Sequence, residues 1–377
     1  MPLTGGLAVL AALQVSLVQV GPAADVRTAF TPAPSAPQLT GIPWTLRVGP
    51  QRPDLVRYNR VEAFSLGVRA QLRPSTPLGP VSVTATGRFG LGDLHPNGRL
   101  EIARETVARR VMVSGYHELA AMEGQPRPLG PANSLTALLW GRDYGDYYRR
   151  SGASVELTPP SARPRVYRLR AFAEYQEPVE KETDVQLPRL WDDDRVFRPN
   201  FVIDEGWVVG AALDVAGRSG TDPTRTRGGF LSSIELGYGD FDYQRLSAGV
   251  DATLMLTRRL GFTLEVAAGT VHGSPPVQRL WYVGGPLSLR GYGPLAVGGD
   301  SFWRGRAEVS RRYSFGQILV FSDVGWAGAR DIRITENVLY SAGAGLAVID
   351  GILRIDGAWQ LQGPRDFRLD VYLGQVL

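Results

Sequence analysis

The sequence predicts an all-β protein, a transmembrane antiparallel β-barrel of about sixteen strands. From residue 58 onward, apolar and polar residues alternate with a period of two, the pattern of strands with one apolar and one wet face. Many of these runs reach ten residues or more, as a tilted membrane crossing requires, whereas strands of soluble proteins average five or six. Beyond the N-terminus no apolar run approaches 18 residues, so that part contains no candidate membrane-spanning helix.

Residues 243–256 show this alternation most clearly. Leu246, Val250 and Leu254 lie on one face of the predicted strand, and Ser247 and Asp251 lie on the other. One face therefore suits lipid hydrocarbon and the other suits a polar interior. The mean hydropathy of −0.10 agrees with such a barrel, because alternation hides the membrane face from any average.

The composition excludes several classes of function. The chain has no cysteine, which excludes a disulfide scaffold, thiol catalysis and cysteine metal sites. Its 41 basic and 37 acidic residues are balanced and form no basic patch with interleaved aromatic residues, so nucleic acid is not an expected partner. The three histidines are scattered, and no phosphate-binding loop or nucleophile elbow is present. We therefore expect no enzymatic activity, no catalytic residue, no cofactor and no metal.

The N-terminal part divides into two predicted segments. Residues 7–20 form an apolar block followed by small residues at 21–24, which predicts a signal peptide over 1–24. No basic residue precedes Arg27, so a buried helix stays open as the alternative. Residues 25–56 contain a Pro-, Ala- and Thr-rich stretch and are predicted to be a flexible leader. The barrel is expected to occupy residues 57–377.

Ten strands are predicted before residue 270, and two regions leave their number open. The predicted strands cover residues 64–70, 81–89, 99–107, 110–119, 147–158, 166–175, 207–216, 230–239, 243–256 and 260–269. The region 98–119 is either a hairpin or one long strand, and the single strand would lower the total to fourteen. The region 134–141 is either a strand or a helical turn.

A long acidic connection is predicted over residues 177–206. Loops of this length are usually functional or disordered, and in a barrel they lie on the extracellular side. Its three consecutive aspartates, 192–194, form either a solvated acidic loop, which we favour, or a Ca²⁺ site that lacks alternate-ligand spacing.

A glycine-rich stretch at 281–292 precedes the last five predicted strands. Gly284 and Gly285 are adjacent, and Arg290 is followed by Gly291 and Tyr292. Glycines permit backbone angles and close approaches that other residues resist, and an arginine at such a tip offers a fork of donors that suits carboxylates. Two acidic residues follow within predicted strands, and they are Glu308 and Asp323.

The glycine-rich stretch, followed along the chain by these two acidic residues, resembles the pattern of the bacterial surface-antigen family of outer-membrane barrels. This is the group of BamA, TamA and the two-partner secretion transporters. The resemblance covers about residues 281–377, and residues 58–62 resemble a first-strand signature of the family more weakly. It implies that the long Arg-Gly-Tyr loop folds into the barrel lumen, where Arg290 meets Glu308 and Asp323. The chain is thus similar to a family barrel without polypeptide-transport-associated repeats.

The predicted C-terminal strands cover residues 302–310, 317–326, 338–348, 352–361 and 366–377. The last strand resembles the C-terminal assembly signal of outer-membrane barrels, although the usual terminal aromatic residue is replaced. The apolar residues of this signal are Phe367, Leu369, Val371, Leu373 and Leu377. Five strands after an extracellular loop place the C-terminus in the periplasm. A periplasmic N-terminus then requires an odd number of strands before the loop, which residues 134–141 would provide as an eleventh strand.

The resemblance implies a role in inserting, assembling or translocating proteins at the outer membrane of a Gram-negative-type bacterium. The expected partners are outer-membrane lipid, client polypeptides and periplasmic subunits that supply the missing repeats. The alternative is a passive pore or structural barrel that retains the family fold. Steady ion conductance would favour the pore, and a weak junction between the first and last strands would favour insertion.

Overall fold

A computed structural model describes most of the chain from residue 44 onward. The described residues are 44–48, 55–76, 79–122, 128–160, 165–219, 225–330, 337–348, 351, 353–363 and 366–373. The predicted signal peptide, most of the predicted leader and Leu377 lie outside these residues.

The described residues form one helix and twenty strand segments. In chain order the strands are β1 (Trp44–Val48), β2 (Val56–Asn59), β3 (Ala63–Leu72), β4 (Ser75–Thr76), β5 (Gly79–Gly90), β6 (Pro96–Glu105), β7 (Arg110–Ala121), β8 (Tyr147–Thr158), β9 (Arg165–Pro178), β10 (Gly206–Ser219), β11 (Arg227–Gly239), β12 (Tyr243–Met255), β13 (Leu260–Gly273), β14 (Trp281–Val283), β15 (Val297–Gly299), β16 (Ser301–Tyr313), β17 (Gly316–Gly328), β18 (Leu339–Val348), β19 (Leu353–Gln360) and β20 (Phe367–Leu373). Helix α1 (Pro131–Trp140) lies between β7 and β8.

All strands except β14 and β15 belong to one antiparallel sheet. Each strand from β5 to β13 pairs with the next one in the chain, β13 pairs with β16, and pairing then continues in order to β20. The segments β1 and β2 both pair with β3, and β4 extends β3 along β5. The segments therefore make sixteen consecutive strands within the described parts of the chain, which confirms an all-β fold and the predicted number.

The two faces of the sheet have the inverted polarity that the alternation predicts. In β12 the apolar Leu246 and Val250 are exposed, whereas Arg245 and Asp251 are buried. A soluble sheet would bury the apolar face instead. We name the face with exposed apolar side chains the outer face, and the face with buried charged side chains the inner face.

The first strand begins earlier than residue 57. Segment β1 pairs with β3 from Trp44↔Leu72 to Val48↔Val68, so it lies within the stretch assigned to a leader. Nearby prolines at 43, 50 and 53 obscured this strand in the sequence. Its strand character comes from pairing with β3, which local composition does not encode.

The two regions that the sequence left open are now decided. Residues 98–119 form the hairpin of β6 and β7, so the alternative of fourteen strands is wrong. Residues 134–140 belong to α1, because Pro131 suits the first helical turn, and Gly141 ends the helix with a φ of 67°. The eleventh strand before the glycine-rich loop is therefore the β1–β2 strand and not residues 134–141.

Within the part of the chain that the structure describes, the sheet has two edge strands, and both reach α1. Among the described residues no pairing joins β20 to β1 or β2, but α1 packs against both β2 and β20. We name the gap between Val56–Asn59 and Phe367–Leu373 the seam.

The long connections, which include residues 179–205 and 274–300, leave the sheet at one end, and shorter turns leave it at the other. None of the helical segments in the described chain has the length and apolar character needed to cross a membrane.

Candidate functional site

The glycine-rich stretch lies in the connection between β13 and β16, residues 274–300. It contains a 3-10 turn at Val277–Arg279 and a small hairpin of β14 and β15. The loop packs on the inner face, where the Trp281 ring lies 4.6 Å from the Phe302 ring. Leu289 is completely buried in the same cluster. An apolar base therefore holds the loop on a face that otherwise carries charged side chains.

Three glycines in this loop adopt backbone angles that other residues resist. The φ angles are 138° at Gly284, 88° at Gly285 and 89° at Gly291. A Cβ on Gly284 would lie 2.2 Å from the carbonyl oxygen of Gly293, so only glycine fits there. A Cβ on Gly291 would lie 3.2 Å from the Cβ of Ala358 in β19. The tip of the loop is therefore pressed close against the wall.

Arg290 binds two carboxylates on the inner face. Its Nε and Nη2 donate to Asp323 at 2.7 and 2.5 Å, and its backbone N–H donates to the same carboxylate at 3.0 Å. Its Nη1 donates to Glu308 at 3.0 Å. The guanidinium also lies 3.5 Å from the centre of the Phe321 ring. The structure thus brings together Arg290, Glu308 and Asp323. The contact between Arg290 and Asp323 is bidentate, and such contacts give strong charge-assisted hydrogen bonds.

Further charged residues complete this cluster, and no pattern in the sequence linked them to Arg290. Asp356 on β19 lies 3.5 Å from Nη1 of Arg290, and Arg354 donates to Glu308 at 2.6 Å. Arg306 on β16 donates to a loop carbonyl, that of Leu287, at 3.1 Å. Burial alone would lower the pKa of Arg290, but the charge of Asp323 and hydrogen bonds to it raise that pKa well above its ordinary value. The guanidinium therefore stays charged in its buried position.

The aromatic residue of the motif joins the loop to the last hairpins. The hydroxyl of Tyr292 donates to the carbonyls of Tyr340 and Gln362 at 3.0 and 2.8 Å. The side-chain amide of Gln360 donates to the carbonyl of Gly291 at 2.9 Å. The tip therefore contacts β18, the end of β19 and the connection from β19 to β20, in addition to the carboxylates.

A second anchor was missed by sequence reasoning. Arg279, at the start of the loop, lies 3.0 Å from Glu235 on β11 and 3.6 Å from Glu174 on β9. The neighbouring Gln278 donates to Gln176 on β9 at 2.8 Å. The only signal in the sequence was an arginine eleven positions before Arg290, with acidic residues at inward positions of distant strands. The loop is therefore held at its start and at its tip, on strands far apart in the sheet.

Residues 58–62 comprise the end of the first strand and the compact charged turn that follows it. Glu62 accepts two hydrogen bonds from Arg57 at 2.6 and 2.7 Å, and Asn97 on β6 donates to it at 3.1 Å. Arg60 is fully buried and lies 2.7 Å from Asp146. This turn therefore ties the first strand to its neighbours at the end with the long connections.

The C-terminal strand keeps the alternation of the assembly signal over its described part. Phe367 and Leu369 are exposed on the outer face, and Asp370 and Tyr372 are buried on the inner face. Val371 is half-buried, and Leu373 is the last residue of β20.

The three consecutive aspartates of the acidic connection lie on the protein surface. Residues 192–194 are exposed, and Asp192 lies 3.3 Å from Arg195 in an exposed ion pair. In the described residues, no group of three or more His, Asp or Glu side chains is arranged to hold a metal ion.

Comparison with solved structures identifies the fold. The chain superimposes on BamA from Haemophilus ducreyi, in a crystal structure lacking POTRA domains 1–3, with a TM-score of 0.56 and 12% identity over 88% of this chain and 69% of that one. CdiB from Acinetobacter baumannii gives a TM-score of 0.46 with 13% identity, over 88% of this chain and 60% of that one. CdiB from Escherichia coli gives a TM-score of 0.45 with 14% identity, over 89% of this chain and 62% of that one. The chain thus spans 60–69% of the length of the chains in these solved structures, the first of which itself lacks three domains.

Sequence comparison alone finds no relationship. No protein-family model matches the chain, and no curated protein matches its sequence. The antiparallel sheet, its inverted faces and the superposition agree with one another. The chain therefore has the fold of BamA, an outer-membrane β-barrel.

Proposed function

We propose that this chain is an outer-membrane barrel that inserts polypeptides into the outer membrane or translocates them across it. The observation that carries the proposal is the anchored loop, whose Arg290 binds Asp323 and Glu308 on the inner face. An Arg-Gly-Tyr loop held in this way, within the fold of BamA, is the feature by which the sequence resembles barrels that handle polypeptides.

In this proposal the sheet closes around the loop in the outer membrane of a Gram-negative-type bacterium. The exposed apolar side chains of the outer face, such as Val250 and Leu369, would contact lipid hydrocarbon. The charged inner face would then line the interior, and the loop would lie in the lumen. The long connections would be extracellular, as they are in barrels of this kind.

The working surface would be the seam. Within the described residues, β20 pairs with β19 from Leu353↔Leu373 to Trp359↔Phe367 and with no second strand, whereas β12 pairs with both β11 and β13. The other edge is divided into β1 and β2. Unpaired backbone groups on such an edge are a template for a strand of another chain, and main-chain hydrogen bonds then supply the affinity.

The anchored loop would keep the adjacent wall in place while the seam opens. Arg290 joins β16 through Glu308, β17 through Asp323 and β19 through Asp356. Arg290, Asp323 and Asp356 are buried and Glu308 is partly buried, so separating them would leave uncompensated charges and cost several kcal/mol. Movement would therefore be concentrated in β20, which has one described strand neighbour, and not in the strands that bind the loop. Periplasmic partner subunits would deliver the client.

A client-folding assay in liposomes tests the proposal. The client is an eight-stranded outer-membrane barrel kept unfolded in urea, and its folding is followed by protease protection. The purified protein should accelerate folding, Arg290→Ala should lose the acceleration, and the exposed-pair control Arg195→Ala should keep it. Absence of acceleration by folded wild-type protein, together with steady ion conductance, would replace the proposal by the passive pore.

A further inference from the structure

Helix α1 is built with its polar side inward. Its buried residues are Asn133, Ser134, Thr136 and Ala137. Its exposed residues include Leu135, Leu139 and Trp140, each at least 40% exposed. A surface helix in water has the opposite arrangement, with its apolar stripe facing the core. This inversion matches the inverted faces of the sheet.

The inward side of α1 binds the edge of the first strand. The hydroxyl of Ser134 accepts a hydrogen bond from the backbone N–H of Tyr58 at 2.8 Å. That N–H therefore points away from β3 and into the seam. Tyr58 also packs with Ala137 and with Phe197 from the acidic connection. The helix thus covers the backbone group that an incoming strand would use.

The residues that follow α1 bind the last strand. The hydroxyl of Tyr144 donates to Asp370 at 2.9 Å, and Arg142 lies 2.8 Å from the same carboxylate. Arg142 also donates to the backbone carbonyl of Leu369. Both Tyr144 and Asp370 are buried. One short segment therefore bonds to both edge strands across the seam.

A polar side chain joins these two halves of the segment. The side-chain amide of Asn133 donates to Asp143 at 2.8 Å, and its carbonyl oxygen accepts from the backbone N–H of Tyr144 at 2.9 Å. Asp143 in turn accepts from the backbone N–H of Arg60 at the end of the first strand, at 2.9 Å. The segment is therefore a single hydrogen-bonded unit. A movement of the helix would consequently also displace Tyr144 from the last strand.

We propose that residues 131–144 plug the seam at the end with the long connections and that the exposed face of α1 contacts lipid acyl chains. This inference rests on the proposed membrane function. It adds to that function the segment that must move before a client strand can pair with an edge strand. The lipid surface is the occupant favoured by continuity. Helix α1 packs against β20, whose Phe367 and Leu369 are exposed, and against β2, whose neighbouring strand β3 exposes Phe64 and Leu66.

Lipid contact is tested with single cysteines, which are unique labels because the chain has none. A fluorophore at Leu139→Cys in liposomes should be quenched by nitroxides on lipid acyl chains to about the same degree as one at Leu369→Cys. A fluorophore at Val107→Cys, in the turn between β6 and β7, should stay unquenched. If the label on α1 behaves like the label on the turn, the proposed lipid contact is wrong.

The plug itself is tested by removing its bonds to the last strand. Tyr144→Phe alone, and together with Arg142→Met, should accelerate amide hydrogen exchange in α1 by about tenfold or more, because hydrogen bonds to a buried carboxylate are lost. Asp370 keeps Arg368 as a partner at 2.9 Å, so the strand is expected to remain folded. The same variants should speed client folding. Unchanged exchange and unchanged client folding would overturn the plug.

The two hypotheses fail in distinguishable ways. Absence of client folding by the wild-type protein removes the proposed function, while the quenching and exchange results still decide whether the plug exists. Normal client folding in a protein whose α1 label is water-exposed removes the lipid contact and leaves the function, and unchanged exchange and client folding in the Tyr144 and Arg142 variants remove the plug.

Discussion

Replacing Arg290 by methionine should release the tip of the loop from the inner face. The substitution keeps an unbranched apolar chain over the Phe321 ring but removes the charge that neutralises Asp323. The Asp323 side chain is 0% exposed, so no water would replace the lost donors. Removing one partner of a buried ion pair costs about 3–5 kcal/mol.

The expected cost lies at the lower end of this range. Arg306 lies 3.6 Å from Asp323 and would compensate part of the lost charge, which leaves about 3 kcal/mol. Since each 1.4 kcal/mol is about a factor of ten, local opening of the loop should become about 100-fold more frequent. The frequency of local opening should rise less for residues near Arg279, because the ion pair of Arg279 with Glu235 is unchanged.

Hydrogen exchange measured by mass spectrometry checks this value. Amides of residues 285–292 should exchange about 100-fold faster in Arg290→Met, whereas those of β12 should keep their wild-type rates. Arg195→Met is the matched control, because its pair with Asp192 is about half exposed and such pairs contribute about 1 kcal/mol or less. Unaltered exchange over residues 285–292 would refute the reasoning that the buried pair holds the loop.

Two further substitutions test the loop backbone and the outer face. Gly291→Ala should destabilise the loop by about 1–3 kcal/mol, because its φ is 89° and the new Cβ would lie 3.2 Å from that of Ala358, and faster proteolysis of the loop would report it. Gly293→Ala, whose Cβ would meet nothing closer than 3.9 Å, is the control, and equal effects of both would contradict the argument. Val250→Arg, near the middle of the outer face of β12, should destabilise the membrane-inserted state by about 2–4 kcal/mol in denaturant titrations in liposomes. Gln244→Arg, near the strand end, should cost about 1 kcal/mol or less, and equal costs at the two sites would argue against a buried lipid-facing band.

The local pattern of the sequence was sufficient for most of the sheet. A side chain on a strand points to one face or the other according to its position, so the alternation of Leu246 and Val250 with Asp251 determines the two faces without any long-range information. Neighbouring strands such as β12 and β13 pair through a short turn, which is also a local property. The motif that contains Arg290 was recognisable because its residues are consecutive and its partners follow in nearby strands.

Three features required the tertiary structure. Segment β1 becomes a strand by pairing with β3, and the composition around it resembled a leader. Residues 134–141 become helical between two edge strands, where a short apolar run has no preference strong enough to decide. Arg279 finds Glu235 across the sheet, on a strand that the sequence does not connect with it.

The sequence by itself determined that this chain forms strands with an apolar outer face and carries an Arg-Gly-Tyr loop aimed at carboxylates. Only the tertiary structure decided what lies at the seam. Tyr144 and Asp370 are separated by 226 positions in the chain, and they meet because the curvature of the whole sheet brings its first and last strands to the same helix. Such a contact depends on the summed twist of every strand between them, which no local pattern of residues encodes.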